Sequence, residues 1–502
     1  MHALLNNDRD IRINQSTGRI TSKTLEPIDQ LLLILPKPAK PGVWRALPQG
    51  TRLREAAKKR PADAVPALST RLHNKRQTRV LGGQISPSAT AFEQLEFGRK
   101  LVAAATDEKA GRVGICVHGF AASDQEAICK NVLAAALAAG YRMPQYKDQQ
   151  SPANIKSIGL LGVDQKLDLS RVVAEAHGNN LARWLTTMPP NKLDATSYAD
   201  IIKTVAKKYG WQFKRFATRE LEKLNAGAFL AVAQGNENDS AGIIRLRYRP
   251  AQKSASANLS LVGKGIIFDT GGTNLKPFQS MLDMHGDMQG SAVALGTLVT
   301  ISELKLPIAV DCWLAITENR TGPDAYKSQD VVTAANGTTI QTIHTDAEGR
   351  MALADTLVLA SRDTPGVIID YATLTGSCVN AITNRYSGVF TNRAEWHPRL
   401  KRTGQLCGER VWPFPIGDEF LDSLKSDVAD LKQCSAKNEG DHILAGSFLE
   451  KFVENDTPWI HVDLSASDND GGLGHIPTKV TGFGVRYTMS LVLDEKIHET
   501  GN

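Results

Sequence analysis

From Asn191 onward the chain alternates short apolar runs with helical patterns, and this alternation constrains the fold more than any other feature. Leu259–Val262, Ile308–Ile316, Val367–Tyr371 and Ile460–Leu464 read as buried strands. Helical patterns at Ser291–Leu304, Gly349–Ser361 and Leu444–Val453 separate them. Such alternation builds an α/β domain with a central mixed, mostly parallel sheet and helices on both faces, because parallel neighbours need crossover connections. Ligands of these sheets collect beyond the carboxyl ends of the strands.

The N-terminal third carries a smaller version of the same pattern. Leu31–Leu35, Arg79–Ile85, Arg112–His118 and Ile155–Val163 read as strands, and Ala121–Ala139 as a helix stopped by Gly140. Pro36 to Pro66, rich in Pro, Lys and Arg, reads as an insertion or long loop. Between Asp168 and Leu185, Val173, Ala176, Leu181, Trp184 and Leu185 fall near one helical face, and Pro189 and Pro190 end the helix. A chain of 502 residues exceeds what one core usually organises. The expected division is an α/β domain over 1–166 with a basic insertion near 37–79, a linker helix over 167–190 and a larger α/β domain over 191–502.

Several classes are excluded. No apolar run approaches the roughly 20 residues that cross a bilayer, so no membrane association is expected. The first 30 residues lack a secretory apolar stretch, and Asp8, Asp10 and Glu26 break the acid-poor pattern of a transit peptide. Six cysteines without CxxC pairs or close His partners argue against a thiolate metal site or a disulfide framework, and fit a cytoplasmic location. The net charge of +6 is uneven: between Lys37 and Arg79, twelve Lys and Arg face only Glu55 and Asp63. That segment reads as a solvated surface loop, with nucleic acid as the alternative partner.

Two segments carry the chemistry. LVGKGIIFDTGGTNLKPFQSMLDMHGDMQG, from Leu261 to Gly290, places Lys264, Asp269, Lys276, Asp283 and Asp287 in a Gly-rich stretch after a buried strand. HTDAEGR, from His344 to Arg350, opens the helix near Gly349. Carboxylates that converge repel one another unless cations compensate them, and divalent metals do so. Two metals roughly 3.5–4 Å apart lower the pKa of a shared water toward about 7. Glycines at 263, 265, 271 and 272 permit the tight turns such a centre needs. Each segment has a plainer reading as well. Thr345 to Glu348 satisfies a capping-box pattern, Asp287 is placed to cap the helix at Ser291, and a lone Lys264 or Lys276 would usually be solvated.

Taken together, the segments resemble the leucyl aminopeptidase family. HTDAEGR is similar to that family's NTDAEGR signature, and VGKGIIFDTGGTNLKP to its VGKG-FDSGG-LKP block. The likeness continues through NNLARWLTTMPPNKL, YATLTGSCV, WIHVDLS and VTGFGVR, so it covers the linker helix and the catalytic half. The first 165 residues fit only in layout.

The resemblance implies a macro-like N-terminal domain, a catalytic domain with two divalent ions, zinc or manganese, and a homohexamer acting on peptides. Lys264, Asp269, Asp287 and Glu348 would form the tighter metal site, and Asp269, Asp346 and Glu348 the more exchangeable one. Lys276 would stabilise the oxyanion, and Arg350 would hold a bicarbonate that acts as general base. The substrate's neutral α-amine would take a coordination position. Met284, Thr373, Gly376, Ser465 and Asp468 would line the pocket for the first side chain. The family typically has an apolar Ile-Ala-Gly-Val-Met run at 464–468, where this chain has LSASD, so a weaker preference for Leu is expected. His344 stands where Asn is usual, and a hydrogen-bonding or surface role is expected of it. His118, His461 and Asp463 read as satisfied strand residues. A DNA-binding role through the basic segment is the second functional reading.

Overall fold

The strand patterns of the sequence assemble into two main sheets, seen in a computed structural model that describes residues 11–61, 63–107, 111–147, 155–236, 240–250, 258–437 and 439–499. Asp8 and Asp10 lie outside the described residues. The chain divides into two compact units, residues 1–176 with 470–479, and residues 177–469 with 480–502.

In the first unit, β1 (Arg12–Thr17), β2 (Gln30–Pro36), β3 (Leu68–Arg71), β4 (Arg79–Ile85), β5 (Gly111–Val117) and β6 (Ile155–Val163) form a sheet in the order β1-β6-β5-β2-β4-β3. All neighbours are parallel except β3 and β4. β2, QLLLILP, is buried at six consecutive positions, as a strand covered on both faces must be. The helices Ala91–Thr106 and Ala122–Gly140 supply apolar partners such as Leu101, Val102, Ile128 and Val132. The stretch from Pro36 to Pro66 is not a long loop. It folds into two short helices, Pro41–Arg45 and Gly50–Ala57, because Trp44, Leu47 and Leu53 are buried in one cluster with the sheet residues Leu31, Leu33, Leu35 and Val80, leaving the basic side chains outside.

The main sheet of the second unit has eight strands: β7 (Gln212–Ala217), β8 (Gly242–Tyr248), β9 (Leu259–Asp269), β10 (Val310–Asn319), β13 (Ile368–Ala372), β14 (Ser387–Thr391), β15 (Val411–Pro413) and β17 (Trp459–Asp463). Their order is β15-β14-β17-β13-β9-β10-β8-β7. The central four, β17, β13, β9 and β10, are parallel, and antiparallel pairs flank them. A separate three-stranded sheet joins β11 (Val331–Thr333), β12 (Thr339–Gln341) and β16 (Leu431–Lys432). The helices Gln289–Glu303 and Glu348–Ser361 are buried almost all round, so their apolar residues form continuous runs rather than stripes.

Candidate metal centre

The centre lies where β9 ends. Ten of the eleven residues of β9 are buried, yet the strand carries two charges, Lys264 and Asp269, exposed by only 3% and 2%. Asp269 sits opposite Asn319, the last residue of β10. The Asn319 amide donates to Asp269 Oδ1 at 2.7 Å and to the Thr345 carbonyl at 3.0 Å, joining the two motif segments. Beyond Asp269 the chain reverses through Gly271, whose φ of +87° is a conformation that side chains rarely adopt. The Lys276 amide then closes the loop onto the Thr270 carbonyl at 2.9 Å. That closure places Lys276 Nζ 2.9 Å from Asp269 Oδ2 and 2.6 Å from Asp346 Oδ1.

HTDAEGR docks on this loop. Thr345 does not cap the following helix, which starts at Glu348 with Ala347 as an N-cap that makes no side-chain bond. Its hydroxyl instead donates to the Gly271 carbonyl at 2.6 Å, while the Thr345 and Asn274 amides each bond the other's side chain at 2.8 Å. The capping-box reading therefore fails, because a tertiary partner took the hydroxyl. Nor does Asp287 cap its neighbouring helix, whose N-cap is Met288. Its Oδ1 accepts the Thr373 hydroxyl at 2.7 Å, and its Oδ2 faces Lys264 Nζ at 2.8 Å. Lys264 also lies 2.9 Å from Glu348 Oε1 and donates to the Thr373 carbonyl at 3.0 Å.

Asp269, Asp287, Asp346 and Glu348 thus surround two ammonium groups, an excess of two negative charges. Burial disfavours the charge of Lys264 and Lys276, but the surrounding carboxylates more than offset it and raise both pKa values. The acids bear the strain. Burial, then repulsion from Asp269 and Glu348, pushes Asp346 up to about 7. Burial and the Glu348 and Asp269 charges carry Asp287 well above the usual carboxylate range, against the pull of Lys264.

These groups fit divalent cations. Ligand oxygens of Asp269, Asp346 and Glu348 lie within 4.8 Å of one another. Asp287 Oδ2, Asp346 Oδ1 and Glu348 Oε1 are buried, and each faces a lysine ammonium at 2.6–2.9 Å. Hard oxygen donors with unused lone pairs and surplus negative charge suit such ions.

The other expected residues take varied places. Arg350 is buried, its Nη1 donating to the Gln433 carbonyl at 3.2 Å and its Nη2 to Asp441 Oδ2 at 2.7 Å. Met284 opens the 3₁₀ turn before Asp287, and Gly376 opens the helix Gly376–Ile382 with open space where a side chain would project. Ser465 begins a buried 3₁₀ turn, Ser465–Ser467, packed against that helix, and Asp468 follows it, bridged to Val480. His344 is exposed and accepts the Asp346 amide through Nδ1 at 3.3 Å. His461 Nδ1 pairs with Asp370 at 2.6 Å, and Asp463 accepts the Thr375 hydroxyl at 2.7 Å.

Sequence reasoning missed Asn319, Gln433 and Asp441. Gln433 is fully buried; its amide donates to the Ala347 carbonyl at 3.0 Å, and its carbonyl oxygen accepts the amides of Ile343 and His344 at 3.2 Å. No local pattern marks such residues; an Asn or Gln near a strand end is ordinary.

The fold is of the α/β class, and its charge-crowded pocket suits divalent cations. The model of the cytosol aminopeptidase family, catalytic domain, matches residues 180–489. A probable cytosol aminopeptidase of a Sulfurihydrogenibium species is 38% identical over 319 residues, 63% of this chain and 62% of that protein's length. One from Prochlorococcus marinus is 34% identical over 421 residues, 81% of this chain and 82% of the relative. Among solved structures, a mutant of tomato leucine aminopeptidase shares the fold at a TM-score of 0.83 and 24% identity, over 97% of both chains. The bottromycin maturation enzyme BotP, in complex with Mn, aligns at 0.79 with 27% identity, over 95% of this chain and all of its own. The chain belongs to the cytosol aminopeptidase family, and with it to the metallo-aminopeptidases. No described helix is long and apolar enough to cross a membrane. The comparisons give no support to the DNA-binding alternative.

Proposed function

We propose that this chain is a two-metal aminopeptidase that removes single residues from the N-termini of peptides. The observation that carries the reading is the convergence of four buried or half-buried carboxylates, Asp269, Asp287, Asp346 and Glu348, on only two lysines. Lys264, Asp269, Asp287 and Glu348 would hold one ion, and Asp269, Asp346 and Glu348 the other. Divalent ions of the zinc or manganese kind, when bound, polarise a peptide carbonyl and lower the pKa of water toward about 7.

The chain's own residues supply the rest. Lys276, partly open to solvent at its side chain, offers an ammonium to the carbonyl oxygen and to the oxyanion that develops there. Thr373 orients Asp287 through its hydroxyl and Lys264 through its carbonyl, so the loop that meets substrate also sets two ligands. Asn319 holds Asp269 from behind, fixing which oxygen faces the pocket. At Arg350, where the resemblance expects a bicarbonate, Nη2 already donates to the Asp441 carboxylate and Nη1 to the Gln433 carbonyl, while Nε has no partner among the described residues, so a carboxylate of the chain fills part of that place. No step is built on bicarbonate.

The same reading carries a polar wall at Ser465 and Asp468, a cytoplasmic location and a homohexamer. Metal analysis together with hydrolysis of amino-acid anilides, for the natural chain and Asp346→Ala, tests it. Two ions per chain and activity lost in the variant are expected; an active metal-free protein would end the proposal.

A further inference from the structure

Asp441 is the one carboxylate paired with Arg350 among the described residues, and no motif drew attention to it. It is the first residue of the helix Asp441–Glu450, entered through Gly440 at a φ of 64°. Its Oδ2 takes the Arg350 bond, and its Oδ1 accepts no hydrogen bond from a described residue. The side chain is 23% exposed, whereas Arg350 beneath it is 2% exposed. The next residue, His442, is tied to the substrate side of the pocket: its amide donates to Ser377 Oγ at 2.8 Å, and its Nδ1 lies 3.1 Å from that oxygen. Ser377 follows Gly376 directly. Arg350, for its part, stands two residues beyond Glu348 on one helix. Asp441 is therefore linked through Arg350 to the helix that carries Glu348, and through its neighbour His442 to the loop assigned to substrate.

A carboxylate and a bicarbonate offer a guanidinium the same planar pair of oxygens. They differ in tethering. A group fixed in the chain competes at an effective concentration far above that of a free anion, so the tethered one occupies Arg350. Burial works against the Asp441 charge, but Arg350 more than compensates and keeps the carboxyl below its ordinary range. It is charged at neutral pH.

We propose that Asp441 is a built-in proton acceptor for hydrolysis, occupying the place at Arg350 that the family resemblance gives to bicarbonate. This rests on the aminopeptidase reading. In the step, an O–H proton of the attacking water passes to Asp441 Oδ1 as the water oxygen bonds to the carbonyl carbon. The C–N bond then breaks, the leaving amine takes the proton and the carboxylate is restored. No further reactant is needed.

The test measures anilide hydrolysis by the metal-loaded protein in carbonate-free buffer and with millimolar bicarbonate. Binding of isotope-labelled bicarbonate is followed by NMR in the same samples. The natural chain should be indifferent to bicarbonate and should bind none. Asp441→Ala should lose about 10²-fold or more in kcat with little change in KM, bind bicarbonate and regain several-fold of its rate when it is added. Asp441→Asn, which keeps the shape and a bond to Arg350, serves if the alanine variant does not fold, and should be as slow without rescue. Acceleration of the natural chain by bicarbonate, or a full rate in either variant without carbonate, overturns the proposal. If the natural chain cleaves no anilide, the aminopeptidase reading falls and the proton-transfer role with it. Bicarbonate binding then still decides who occupies Arg350: binding to Asp441→Ala alone assigns the place to Asp441, and binding to the natural chain refutes it.

Discussion

A β-carbon on Gly349 would stand 2.6 Å from Lys264 Cε and 2.7 Å from its Nζ, so the lysine occupies the volume a side chain at 349 would fill. The glycine of HTDAEGR is thus a spatial requirement of a residue 85 positions earlier. Gly349→Ala must displace Lys264 or the start of the helix. Overpacking of this kind typically costs about 1–3 kcal/mol. The expected outcome is a folded protein with a lowered Tm, weaker metal binding and hydrolysis reduced by at least an order of magnitude. Normal metal content and rate would show that the lysine position is not critical.

The metal-free protein should lose stability as pH rises toward neutrality. Asp346 titrates near 3.8 when unperturbed and at about 7 in the folded chain. Between those values the folded state holds a proton that the unfolded state has released, so the group favours folding at low pH and the favour is lost as pH rises through about 7. Lys264 and Lys276, raised from an already high value, keep their protons throughout this window. Thermal melts from pH 5 to 8 should show a falling Tm without metal, and a flatter profile once divalent ions replace the proton. Identical profiles with and without metal would refute the coupling.

Asp370→Asn should destabilise the fold without touching the pocket. Asp370 is fully buried and receives Trp459 Nε1 and His461 Nδ1, each at 2.6 Å. Burial disfavours a charged His461, but Asp370 more than offsets this and raises its pKa. Removing one member of a buried ion pair typically costs about 3–5 kcal/mol. Chemical denaturation should record a loss of that order while KM at low temperature stays close to normal; an unchanged midpoint would mean the pair contributes nothing net.

The proposed pocket wall at Ser465 and Asp468 predicts a flattened specificity. Ser465 and Asp468 put a hydroxyl and a carboxylate where the family resemblance expects apolar residues. A panel of N-terminal residues should show Arg, Lys and Ser cleaved within roughly tenfold of Leu, because one apolar contact is worth only about 1–3 kcal/mol. A preference for Leu by orders of magnitude would remove these residues from the pocket.

Much of the fold was readable because its central strands are buried on both faces. β2, β9, β10, β13 and β17 are apolar runs that no surface element tolerates. Flanking strands such as β7, with exposed and half-buried residues in QFKRFA, carry a weaker signal and went unread. The segment after Pro36 misled through its charge and prolines, since its two short helices are held by a few buried side chains rather than by a sustained period.

By itself the sequence determined that a βα series would form, and its two motif segments singled out five candidate metal ligands, for strand burial and motif spacing are local properties. Only the tertiary structure decided which partner each charge meets. Arg350 and Asp441 are 91 residues apart and on different helices, and Thr345 turned from a cap to a clamp for a loop 71 residues away. Such pairings depend on how the crossovers return over the sheet, and a chain's local periodicity carries no record of that path.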